Sequence, residues 1–370
     1  MREGRLATKQ MNQNLRRRDF LASAIGGLAT TTTGALRQRG ERGIVIDGLG
    51  EIHADYDMVL LDEMIGSGMR GCVVTVGNPA LHSAEAFDDL KKEVADYERM
   101  IAAQPTRLSR ATAVADLDRA AAGKTIGLVY YTQNATPIED NVEHLRALHD
   151  LGVRIVQLTY NTRNLLGDGC LERTNAGLSK FGLEVVARMN EMKMLVDGSH
   201  SGEATTMDAI EHSKAPVAIT HAGCKAVYQH PRNKSDAALR ALARRGGVIG
   251  IYQINPYLGP KERNTLDDYL RHVDHAVRVC GIEHVGIGSD REHRTIPDTP
   301  EEKQKLIDEL SRLRPVTAST FRWPFFIAEL NHPRRMETIA AALAKRGRKS
   351  AEIDKLLGGN WYRLFRETIR

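Results

Sequence analysis

The sequence predicts an α/β chain folded as a (β/α)8 TIM barrel, and three observations predict it. Eight short apolar runs recur along the chain, amphipathic segments separate them, and the whole alternation occupies about 250 residues, the usual extent of such a barrel. The runs are "IVIDG" from Ile44, "GCVVTV" from Gly71, "IGLVYYT" from Ile126, "VRIVQLTY" from Val153, "MLVDGSH" from Met194, "VAITHA" from Val217, "GVIGIYQ" from Gly247 and "HVGIGSD" from His284. Each is nearly continuous in Val, Ile and Leu, which is what a strand buried on both faces requires. A doubly wound open sheet is the alternative, and the lack of a Gly-rich dinucleotide fingerprint after any run counts against it.

The chain opens on a segment of different character. Residues 1–42 hold nine Lys or Arg and three Asp or Glu, a charge of +6, so the remaining chain carries −1 of the overall +5. The body therefore gives no electrostatic reason to expect a nucleic-acid partner. Within the leader, "RRRDFLASAIGGLATTTTGALRQRG" places Arg17 and Arg18 before Asp19, Phe20 and Leu21, a twin-arginine pattern. Leu21 to Ala29 is short and mildly apolar, suited to an export signal and too short for a membrane span. The expectation is a leader over 1–42, removed or disordered, and a folded protein exported to the periplasm without stable membrane insertion; a basic arm with no targeting role is the alternative.

Residues 43–370 are expected to form a single barrel domain, because no low-complexity linker interrupts them and 42% hydrophobic content supplies an ample core. Helical patterns precede the fourth run ("NVEHLRALHDLG"), the seventh ("DAALRALARRGG") and the eighth ("LDDYLRHVDHAVRVCG"), with Gly152, Gly246 and Gly281 where each helix stops. After the eighth run, "DREHRTIPDTPEE" through "RPVTASTFRWPFF" reads as an irregular active-site loop and covering excursion. The closing "KLLGGNWYRLFRETI" is amphipathic and should seal the barrel. Cys72, Cys170, Cys224 and Cys280 are scattered and form no CxxC pair, so they read as buried thiols, with one long-range disulfide as the alternative.

Barrel enzymes carry their reactive groups at the carboxyl ends of the strands. The fifth run ends on His200 and the sixth on His221, and two imidazoles at adjacent strand ends can converge on one ion. A structural role for each is the plainer reading of either histidine alone. The eighth run ends on Asp290, placed to move a proton between a water and a leaving amine, or merely to cap the following loop. Arg232, in "YQHPRNKSD", suits a bidentate grip on a carboxylate; a surface pair with Asp236 is the simpler alternative.

"LVDGSHSG", "ITHAGCKAVYQHPRNKSD", "ARRGGVIGI", "HVGIGSD" and "GGNWYRLF" resemble, in order and spacing, the motifs of the membrane (renal) dipeptidase family of the amidohydrolase superfamily, from about Val45 to Phe365. The resemblance implies that His200 and His221 hold the more buried of two zinc ions, that Arg232 holds the substrate carboxylate, and that Asp290 assists proton transfer. It also suggests a homodimer.

Half of the family's site is altered. Where the family opens with D-G-H-x-D on the first strand, this chain has Asp47, Gly48, Leu49, Gly50 and Glu51. Gln133 stands where the family has a Glu bridging both ions, and Tyr160 where it has a His that steadies the tetrahedral intermediate. Loss of the bridging carboxylate removes the charge that holds two divalent cations close together. A single zinc is therefore expected rather than two, on His200 and His221 with Glu51 or the Gln133 amide oxygen and a water. His53 and Asp55 form a nominal HxD beyond the strand end. Tyr160 remains a donor for an oxyanion. Arg291, Glu292 and His293 read as a solvated loop or as part of a polar pocket.

These features imply an exported metallohydrolase that cleaves an amide bond in a small carboxylate-bearing substrate, a dipeptide or N-acyl amino acid. The alternatives are proton transfer without hydrolysis, as in an epimerase or lyase, and a non-catalytic binding protein.

Overall fold

The computed structural model describes residues 43–313 and 321–369, so the expected leader and the 314–320 part of the excursion lie outside the described residues. Nine parallel strands form one sheet: β1 Val45–Asp47, β2 Met69–Thr75, β3 Leu108–Arg110, β4 Ile126–Thr132, β5 Val153–Gln157, β6 Leu195–Asp197, β7 Ala218–Ala222, β8 Val248–Ile251 and β9 Val285–Ile287. Their order is β1-β2-β4-β5-β6-β7-β8-β9, with β3 paired to the amino end of β4. The ends of the sheet meet: Gly48 N–H donates to Ile287 O (2.8 Å), Asp290 N–H to Leu49 O (2.9 Å) and Glu51 N–H to Arg291 O (3.0 Å). The result is the expected (β/α)8 barrel.

All eight apolar runs became barrel strands. The ninth strand, β3, was not anticipated, because of "LSR" only Leu108 is buried and no apolar run marks it. Inside the barrel, Ile46, Val73, Val129, Ile155, Leu195 and Val248 pack together; the alternate residues face the surrounding helices.

The helices follow their local signals. Asp236–Arg244 starts at Ser235, whose hydroxyl accepts the Ala238 N–H (3.1 Å). Leu266–Cys280 starts with a capping box in which Asp268 accepts the Thr265 N–H (2.9 Å). Gly152, Gly246 and Gly281 all adopt positive φ at helix ends, where a side chain would be strained. The closing segment does seal the barrel: Trp361, on helix Asn360–Thr368, enters the interior and donates its Nε1–H to Ile287 O (2.8 Å). A Cβ at Gly48 would lie 2.3 Å from the Trp361 ring, so only glycine lets the indole in.

The segment after β9 is less irregular than its composition suggests. Pro300–Leu313 is a helix, with Glu301 and Glu302 in its first turn where the helix dipole favours them, and its Leu306, Ile307 and Leu310 turn inward. The four cysteines are free thiols, and Cys170 is half-buried rather than buried. Among the described residues no helix is long and apolar enough to cross a membrane.

Candidate active site

The carboxyl ends of the strands surround a cavity of about 260 Å³. Six of the expected residues line it: Glu51 after β1, Gln133 after β4, Tyr160 after β5, His200 after β6, Arg232 in the loop after β7, and Asp290 after β9. The seventh, His221 at the end of β7, is fully buried behind His200, and their Nε2 atoms face each other at 2.9 Å.

The partners of the two rings set their orientation. Thr220 Oγ1 donates to Asp197 Oδ2 (3.0 Å), and the same threonine oxygen lies 2.9 Å from His221 Nδ1. Asn161 Oδ1 lies 2.8 Å from His200 Nδ1 and accepts its proton. Each ring is therefore held by an oxygen at Nδ1 and directs Nε2 toward the other. Burial, with Arg232 and Lys234 adding to it, holds His221 well below the ordinary imidazole range, so it stays neutral. At this spacing the two nitrogens can share one N–H, and the same two nitrogens can converge on a cation. Tetrahedral zinc with bonds of about 2.0 Å would set its two nitrogens roughly 3.3 Å apart, close to the spacing here. Fixing Nδ1 through Thr220 and Asn161 is also how outer partners orient imidazole ligands. The imidazole pair thus fits one metal ion.

The opposite wall does not fit a second one. Leu49 is fully buried in the apolar barrel interior. Gln133 Nε2 donates to Thr75 Oγ1 (2.9 Å), which donates to Glu51 Oε1 (2.9 Å), so Glu51 and Gln133 are joined through Thr75. Burial pushes the Glu51 carboxyl up to about 8, the Thr75 bond only partly opposing it. Among the described residues, no three His, Cys, Asp or Glu side chains come together as a metal-holding group. His53 lines the cavity but is exposed, and Asp55 is exposed as well.

Arg232 is not a surface residue. It is 3% exposed, and its Nη1 donates to Ser199 O (2.7 Å), while Nη2 has no partner among the described residues. Asp236 is engaged elsewhere, by His275 (2.7 Å). A buried guanidinium on a cavity wall with one unpaired edge is a receptor for a carboxylate. Asp290 holds φ of +54°, a conformation costly for a side-chain-bearing residue and kept here by its backbone bond to Leu49. Burial raises its carboxyl to about 6, against the pull of Arg232. Tyr160 stacks on His200 with ring centroids 4.2 Å apart.

Arg291 and His293 are 1% and 0% exposed, so the charged run after Asp290 is no solvated loop. Arg291 donates to Asn331 Oδ1 (2.7 Å) and lies over the Phe326 ring at 4.5 Å; Arg335 Nη1 donates to Glu292 O (3.0 Å). Those partners come from the far end of the chain, which no local pattern reveals. Asn161 was equally invisible as a site residue, although its φ of +62° is one that Asn tolerates better than most side chains.

The barrel, with polar groups gathered at the carboxyl ends of its strands, has the layout of a barrel enzyme. Residues 24–314 match the model of the membrane dipeptidase family, peptidase family M19, and the chain belongs to that family of metallopeptidases. An uncharacterized protein of the pqqA 5′ region of Klebsiella pneumoniae is 28% identical over 292 residues, covering 76% of this chain and 97% of that protein. Dipeptidase verJ of Clonostachys rogersoniana is 40% identical over 148 residues, but the match spans only 38% of its length. A solved amidohydrolase from Pseudomonas aeruginosa superimposes with a TM-score of 0.77 at 30% identity, covering 88% of this chain and 97% of that one. The same fold recurs at 19% identity (TM-score 0.74, 89% and 100% coverage) in a metallo peptidase from Rhodobacter sphaeroides solved with a phosphinate mimic of the dipeptide L-Ala-D-Ala.

Proposed function

We propose that the protein hydrolyses the amide bond of a small carboxylate-bearing substrate, a dipeptide or an N-acyl amino acid, with one zinc ion. The observation that carries this reading is the buried Arg232 with its unpaired Nη2, set on the same cavity wall as His200 and Asp290. Arg232 takes the substrate carboxylate and so fixes the amide at a set distance from the other groups. His200 and His221 are the residues that would hold the ion, with Glu51 and the Gln133 amide oxygen as further oxygen donors around the cavity. An ion there supplies, when bound, an acidified water and polarisation of the amide carbonyl. Asp290 accepts the proton of the attacking water and returns it to the leaving nitrogen, a role suited to a carboxyl raised to about 6. Tyr160 offers its hydroxyl to the developing oxyanion. The twin-arginine pattern supports action in the periplasm.

Metal content and turnover on protein purified without chelators test this. About one zinc per chain is expected, with cleavage of members of a panel of dipeptides and N-acyl amino acids. Stoichiometric zinc with no hydrolysis across that panel sinks the proposal, and deuterium entering a substrate without cleavage favours proton transfer instead.

A further inference from the structure

The cavity at Arg232 is one lobe of a larger cleft. A second cavity of about 480 Å³ adjoins it, and both are bounded by Glu51, His53, Gln133, Tyr160 and Glu309. The two lobes differ in their charges: Arg232 and Arg291 line the first beside Asp290 and Glu292, whereas the second adds Glu93 and Asp96 to the shared Glu51 and Glu309, with no Lys or Arg among the described lining residues. Its remaining surface includes the rings and chains of Tyr97 and Met100, both largely buried.

The groups on this wall are held for different purposes. Glu93, on helix Ser83–Ala103, accepts the Gly77 N–H (2.8 Å) and is thereby fixed at the cavity edge. Burial raises its carboxyl and Asp89 adds to this, against the Gly77 bond and Lys92. Asp96 is shared with Arg99, whereas Glu309 is exposed on the covering helix Pro300–Leu313. The carboxyls are spread around the lobe and do not converge to hold a metal ion. Spread carboxylates over an aromatic floor suit a bulky organic cation better than a metal ion.

A substrate whose carboxylate sits on Arg232 must direct its other end away from that lobe. We infer that the second lobe receives a cationic N-terminal residue, so the preferred substrates are dipeptides that begin with Lys or Arg. The inference rests on the hydrolytic reading above and adds the substrate class.

Lys-Ala, Leu-Ala and Glu-Ala present the same scissile amide and carboxylate and differ only in the side chain that would enter this lobe. The expected kcat/KM for Lys-Ala is about tenfold above that for Leu-Ala, the equivalent of one well-placed charge contact. Glu-Ala is expected below both. Glu93→Gln should bring the Lys-to-Leu ratio to within about twofold, and raised salt should lower it further in the wild type. Glu309→Gln, a change on an exposed helix face, should lower the same ratio and serves if Glu93→Gln fails to fold. Equal turnover of Lys-Ala and Leu-Ala overturns the inference and leaves hydrolysis standing, as does a ratio that neither variant moves. Calorimetric preference for Lys-Ala without cleavage preserves the cationic lobe and overturns hydrolysis. Neither cleavage nor preferential binding overturns both.

Discussion

The two walls of the barrel mouth are built differently. On the wall built by β6, β7 and β9, His200, His221, Arg232 and Asp290 retain buried functional atoms that point at one another or into the cavity. On the wall built by β1, β2 and β4, Leu49 joins the apolar core, and Glu51, Thr75 and Gln133 satisfy each other. Unsatisfied polar atoms are expensive to bury, so a fold retains them where a ligand completes them. By that criterion the first wall is the one on which we propose that the ligand binds, while the polar groups of the second are held by one another.

The most direct way to break this comparison is to disable the first wall. Asp290→Asn keeps the size of the side chain and removes its ability to accept a proton; kcat should fall by about 10² to 10⁴-fold, the usual worth of a general acid–base group. Metal content should hold, because Asp290 is not among the imidazole pair's partners. A variant within a fewfold of wild type would move the proton-transfer role elsewhere.

The orientation of the imidazoles comes next. Asn161→Ala leaves His200 Nδ1 without the acceptor that sets its tautomer, and metal affinity should weaken by about 10- to 100-fold, as for other outer partners of ligating histidines. Competition with a chromophoric chelator reads this without reference to turnover. Unchanged affinity would mean that the Tyr160 stack alone positions the ring.

The opposite wall should respond differently. Thr75→Val deletes the hydroxyl that links Gln133 to Glu51, and stability should drop by about 1 kcal/mol, the net worth of a hydrogen bond, while metal content stays constant. Denaturant unfolding with metal analysis separates the outcomes. A loss of bound metal would show that the Thr75 link is what holds Glu51 toward the ion.

How much of this was legible in the sequence follows from the same physics. Strands buried on both faces read as continuous apolar runs, so all eight barrel strands could be found, whereas β3 with one buried residue could not. The strand-end rule points to His200, His221 and Asp290 because their chemistry is conspicuous, whereas Arg232, in the loop after β7, reads from spacing alone as a surface residue and its burial is not legible. Thr75, Asn161 and Thr220 are small neutral residues whose importance is only geometric, and nothing in their neighbourhoods distinguishes them. Arg291 and His293 misled for a related reason: charge suggests solvent unless its partners are known, and Asn331 and Arg335 lie some forty residues away.

The smallest expected effect concerns the loop that carries Asn161 to His200. Asp168 anchors it, accepting from Arg163 Nε (2.6 Å), Thr174 Oγ1 (2.7 Å) and the Ala176 N–H (2.9 Å). The hydrogen bond from Arg163 leads the effects that hold its carboxyl down at about 2. A folded-state value below the unfolded one, about 3.9, means the anchor stabilises the fold above that pH and is lost as pH falls toward 2. Asp168→Asn should therefore lower Tm by a few degrees at pH 7, and the gap between variant and wild type should narrow progressively as pH falls from 5 toward 2. Arg163 is half exposed, so salt should shrink the gap at pH 7 as well. A gap that is the same at pH 7 and pH 2.5 would show that the loop is held by backbone bonds rather than by the carboxylate. His200 would then depend on this loop for packing alone.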